Sequence, residues 1–269
     1  MAYSSVTLDA LTIDDEAAFL EMPLYRALKR ALAASNHRFL IPAEGAEASW
    51  ASWDRTVFLN LTFWSAEAGA DVLCNDHIPA DVVAHAAWHH VVSHQLELAS
   101  GAGTPTPEAL FFGEAIASAF DLYLVGRLLD AAPDTDFITT QVPIMRDVAA
   151  DAGVSDTDFA ALLDGVRADP QQAFEDLRAM LFEVTCALWG CRGVIEAADV
   201  LDRYAHHRFG ALLHHYQLSN WILYARAYSA VAPARARVVQ QFDEVLRGTK
   251  DALAWLEQNW LPAAAPAAG

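Results

Sequence analysis

Residues 78–130 read IPADVVAHAAWHHVVSHQLELASGAGTPTPEALFFGEAIASAFDLYLVGRLLD, and this segment sets the architecture expected of the whole chain. Two apolar helical patterns flank a loop rich in Gly, Thr and Pro. The first helix carries His85 and His89 four residues apart, so both imidazoles leave the same face, one turn from each other. The second carries Glu114 within an apolar run, with Ser118 one turn on and Asp121 two turns on. Two imidazoles and a carboxylate from two packed helices can hold a divalent transition metal and leave coordination positions open. A competing reading stands beside this one. His85 and His89 share their stripe with Val92 and Leu96, as core histidines do. Glu114 weighs toward a metal, because an ionised carboxylate on an apolar helix face is costly to bury unless something neutralises it.

The composition narrows the partners. The 269 residues suffice for one large domain or two modest lobes, and 54% of them are hydrophobic, which supplies an ample core. The formal net charge of −18 opposes binding to nucleic acid or to an anionic membrane surface. No apolar run reaches transmembrane length, and MAYSSVTLDALTIDDE lacks a basic segment followed by an apolar one. A cytoplasmic protein is expected. Three cysteines suit a reducing compartment; Cys186 and Cys191 are too far apart for a CxxC motif, and all three read as small core residues.

Around the central segment the elements can be placed by pattern. Residues 14–34 read as a helix with acids at its start, Lys29 and Arg30 near its end, and a break or kink at Pro23. Residues 35–53 read as loop, with Trp50 and Trp53 covering a core edge. Thr56–Trp64 alternates as a strand, and Asp71–Cys74 is a shorter one, antiparallel to it. His77 reads as an exposed loop residue, and Pro79 as part of the first turn of the histidine helix. Everything from His85 onward reads as helical. Pro107 and Glu108 open the Glu114 helix, Pro143–Ala152 is a short helix stopped by Gly153, and Ser155 with Asp158 resembles a capping box. Asp169–Pro170 caps a helix ending near Trp189. Further helices are expected over 194–209, 211–231 and 234–260. The fold class is therefore α+β, mostly α: an α/β lobe over residues 1–130, carrying the histidine and glutamate helices, and a helical lobe over 131–269, together one unit. A site is expected in the cleft between them, open to a small-molecule or peptide substrate. Nothing in the pattern fixes the oligomeric state.

VVAHAAWHHV followed by GEAIASAFD resembles the site of the gluzincin metallopeptidases, the thermolysin-like group. Their pattern is V-V-A-H-E-x-x-H on one helix and an E-A-I-S-type segment on the next. The likeness covers about forty residues by motif and the remainder by layout, a small twisted sheet followed by the site helices and a helical lobe. It implies a zincin-like fold and a metal, zinc first and iron second, held by His85, His89 and Glu114. The departures bear on activity. Ala86 stands where that family has its general base, a group worth about 10²–10⁴ in rate. Ser118 stands where it has an aspartate that orients a ligand. Asp81, Ser118 and Asp121 are the candidates for outer partners of the ligands. His90, one turn after Ala86, could replace the base, with His94 a turn beyond; both equally suit a partly exposed helix face. In that family a His or Tyr from the helical lobe steadies the oxyanion, and His207, His214 and Tyr216 are candidates here. Arg226, Arg235 and Arg237 suit either a substrate carboxylate or ordinary ion pairs.

Three functions remain open on sequence: a metal-dependent enzyme whose chemistry, hydrolytic or oxidative, is not ordinary peptide hydrolysis; a catalytically inactive pseudo-peptidase keeping a structural metal; and a helical protein with no metal.

Overall fold

Pro23 decides the first break in the chain. The computed structural model describes residues 3–42, 63–65, 70–100, 105–228 and 233–261. After β1 (Tyr3–Val6), a 3₁₀ turn (Leu8–Ala10) and β2 (Thr12–Asp14), the expected helix over 14–34 divides into α1 (Glu16–Leu20) and α2 (Pro23–Ala34). Pro23 occupies the first turn of α2, where its missing N–H costs nothing. On α2, Leu24, Leu28 and Leu32 recur every four residues and are buried with Tyr25 and Ala27, the amphipathic spacing that docks a helix. The Tyr25 hydroxyl donates to Glu16 at 2.8 Å, and Lys29 reaches the same carboxylate at 2.6 Å. Glu16 thereby ties α1 to α2.

The chain divides into two units, residues 1–91 with 261–269, and residues 92–260. In the first, β3 (Phe39–Pro42), β4 (Phe63–Ser65), β5 (Ala70–Val72) and β6 (His77–Pro79) complete the strands. One sheet has the order β1-β3-β5-β4, and β2 pairs with β6 in a separate two-stranded ribbon. The loop expected over 35–53 gives way to β3 because Phe39 is fully buried and the strand pairs on both sides, antiparallel to β1 and parallel to β5. β4 and β5 are antiparallel, as the alternation suggested. Residues 56–62 of the expected first strand, with Trp50 and Trp53, lie outside the described residues. Cys74 is exposed and Cys186 and Cys191 are half-buried, so the three are not the core residues expected. Pro79 is likewise corrected: it closes β6 opposite Asp14, and α3 (Ala80–Ser100) begins one residue later. Fully buried Ile78 holds that strand in place. The division between the units falls inside α3, after Val91.

The second unit is helical and is built on α4 (Pro107–Leu128). Thr106 caps it, its hydroxyl accepting from the Ala109 amide at 3.2 Å. Length and composition make α4 the exception to the expectation that no run could span a membrane, and 78% of its apolar window is buried within the fold. It packs along α7 (Pro170–Trp189), with α5 (Asp136–Asp151), α6 (Asp156–Ala168), α9 (Leu218–Tyr228) and α10 (Pro233–Gly248) also against it. Gly126 permits the α6 contact, since a Cβ there would meet the Val166 carbonyl at 2.8 Å. Helix α5 starts seven residues before the expected Pro143, because Thr135 caps it by accepting from Ile138 at 3.5 Å. The Ser155 hydroxyl accepts from the Asp158 amide and donates to its carboxylate, closing the start of α6 without the reciprocal backbone bond of a full capping box. Asp169 caps α7 by accepting from Gln172 at 3.0 Å.

Beyond α7 the chain is more broken than its pattern suggests. Helix α8 spans only Val194–Arg203, and a 3₁₀ segment, Gly210–Tyr216, replaces the start of the helix expected over 211–231. Gly210 is required there, since a Cβ would stand 2.2 Å from the Tyr204 carbonyl. Gln217, at φ 48°, turns the chain into α9. The last expected helix is two, α10 and α11 (Ala252–Trp260), the second capped by Asp251 accepting from Ala254 at 2.9 Å. Arg178 is wholly buried and braces α7 to α10: it holds both oxygens of Glu175 at 2.7 Å and Asp243 at 2.8 Å.

Candidate metal centre

Helix α3 is buried at every position from Ala80 to Val92 except His85, His89 and His90, which are half-buried. Helix α4 is buried at every position from Phe111 to Gly126 except Glu114 and Asp121. Each helix therefore keeps its partial openings for titratable side chains. On α3 the four-residue spacing stacks His85 and His89, whose ring centres lie 5.0 Å apart at an interplanar angle of 53°. On α4 the seven-residue spacing puts Glu114 and Asp121 on one face, with buried Ser118 between them.

His85, His89 and Glu114 form a group that can hold a metal ion: one ligand atom from each lies within 4.8 Å of the others. The donor set fits. Metal–nitrogen bonds of about 2.0–2.1 Å place two imidazole centres on a tetrahedral ion about 5 Å apart, the separation that His85 and His89 already have.

The other candidates lie elsewhere. Ala86 is buried, and it puts no proton acceptor beside His85. Asp81 is buried in the first turn of α3, and its charge helps to raise the pKa of the Tyr25 hydroxyl, after burial and Glu16 have raised it more. His90 turns to another neighbour, with its ring centre 6.2 Å from that of His37. His77 is exposed, as expected, but lies in β6 rather than in a loop, and its Nδ1 is 2.8 Å from Asp14. His94 and His214 are exposed. His207 is half-buried; its Nδ1 accepts from the Phe209 amide at 3.2 Å, and burial lowers its pKa. The guanidinium of Arg226 lies over the Trp189 ring. Trp88 is fully buried core.

One grouping escaped the sequence reading. Asp121 acts electrostatically on both His215 and Tyr216, whose rings meet edge to face at 4.9 Å. Burial lowers the His215 pKa more than the Asp121 charge raises it, and His215 Nδ1 is buried with no hydrogen-bond partner among the described residues. No local spacing signals this set, because α4 and the 3₁₀ segment are some ninety residues apart in the chain.

No protein-family model, curated protein or solved structure matches this chain.

Proposed function

We propose that this chain binds one divalent transition metal through His85, His89 and Glu114 and is a metal-dependent enzyme on a zincin-like scaffold, with chemistry other than ordinary peptide hydrolysis. The grouping of those three side chains carries the reading. When bound, the metal supplies a Lewis-acidic centre with positions left for water or substrate. The two imidazoles bind it neutral, each through one ring nitrogen, and Glu114 contributes the charge. Zinc suits this donor set, and so does iron, for which two histidines and one carboxylate form the facial triad of oxygen-activating sites. Ala86 cannot take a proton from a bound water. A hydrolytic route through a neighbouring carboxylate is thus closed, while chemistry that needs no base at that position is unaffected. A small molecule or a peptide is the substrate class.

Elemental analysis of the full chain, purified without a histidine tag, tests the centre. About one equivalent of zinc or iron is expected, and Glu114→Ala should lose it. Retention of the metal in that variant overturns the ligand assignment.

Buried Ala86 favours a second reading, an inactive relative of the gluzincin peptidases that keeps its metal as a brace. The two readings part on turnover. The first expects metal-dependent activity in a substrate screen; the second expects none, with stability still falling on chelation.

A further inference from the structure

We propose a second divalent-cation site in the first unit, formed by His37 and His90 with Asp71 as the outer partner of His37. The three come from separate elements: the residues before β3, the strand β5 and the helix α3. Parallel pairing of β3 with β5 sets Phe39 opposite Asp71, which brings His37 beside that carboxylate. His37 Nε2 lies 2.9 Å from Asp71 Oδ2. With Asp71 accepting, Nε2 carries the proton and Nδ1 keeps its lone pair, the tautomer that a carboxylate imposes on a metal-binding histidine. Phe39 is fully buried and meets the His37 ring nearly edge-on at 5.0 Å, which limits how that ring can turn.

His90 supplies the second imidazole. Its ring centre is 6.2 Å from that of His37, about an ångström beyond the roughly 5 Å of two imidazoles sharing a tetrahedral ion. His90 is half-buried, and its ring has to move about an ångström toward His37 for the two to share an ion. The His37 and Asp71 side chains are 24% and 17% exposed, so the pair is not sealed from solvent. Two histidines make a weaker site than two histidines with a bound carboxylate. This inference does not rest on the His85–His89–Glu114 centre, since it uses none of those side chains.

Zinc titration of the metal-free, untagged full chain against a chromophoric chelator tests it. The wild type should take two zinc ions, one tight and one weaker by about tenfold or more. His37→Ala and His90→Gln should each lose the weaker and keep the tighter, with unchanged far-ultraviolet circular dichroism. Asp71→Asn should weaken that site about 10–100-fold. Glu114→Ala should do the reverse, losing the tighter ion and keeping the weaker. A single zinc that disappears in His37→Ala and persists in Glu114→Ala would support this site while sinking the other. Zinc binding that neither histidine variant alters, whatever its stoichiometry, overturns the proposal.

Discussion

The pKa values of His77 and His215 are displaced in opposite directions. The Asp14 hydrogen bond and charge raise the pKa of exposed His77. Its contribution to stability is therefore complete below the unfolded value near 6.5 and is lost as pH rises through the folded value. Proton NMR should place its midpoint above that of an unfolded histidine, and Asp14→Asn should bring it back down. Burial lowers the His215 pKa against the pull of Asp121. As pH falls below about 6.5, the unfolded chain takes up that proton first, so stability declines until the folded value is passed. His215→Phe should reduce the drop in urea midpoint between about pH 7 and pH 5.5, the interval just below that unfolded value; an unchanged drop would place the effect elsewhere. The grouping of His85, His89 and Glu114 was legible because a four-residue spacing on one helix and a lone acid on another are local signals. His215 was not, because the pattern over 211–231 implied an α-helix. The 3₁₀ segment, with about three residues per turn, and the left-handed Gln217 change which side chains turn inward, leaving His214 exposed and His215 half-buried.

The helices obey local chemistry wherever a cap or a proline marks them. Pro107, Ser155 and Asp169 mark the starts of α4, α6 and α7 as read from sequence, and Pro23 splits the first helix. Two departures arise where pairing or a cap overrides composition. β3 forms because its neighbours supply backbone partners, and α5 runs through Pro143 because Thr135 fixes its start. Two substitutions test the packing. Gly126→Ala should gain about 1 kcal/mol of helix propensity, yet the new methyl would stand 2.8 Å from a backbone carbonyl of α6. A net loss of about 1–3 kcal/mol in urea unfolding is expected. Arg178→Ala removes the buried partner of Glu175 and leaves Asp243 with Arg247 as its cation, and should cost about 3–5 kcal/mol. A loss under 1 kcal/mol would mean that water already reaches those carboxylates.

Across the whole molecule, the mostly helical α+β class followed from apolar periodicity, while the sheet order did not, since strand pairing over thirty residues or more leaves no mark in a local pattern. An ion held at the proposed His85–His89–Glu114 centre should act on the entire folding equilibrium. Free zinc at 100 times its dissociation constant should raise stability by about 2.7 kcal/mol, read as a higher melting temperature that a chelator reverses and Glu114→Ala reduces. Gly210 has a consequence for any survey of tolerated substitutions. With the Tyr204 carbonyl occupying the space where a side chain would begin, every replacement there should deplete the protein from cells. A scan scored by abundance alone would then rank this turn among the chain's most demanding positions. The residues that do chemistry would instead stand out where the protein accumulates normally and its ion content falls.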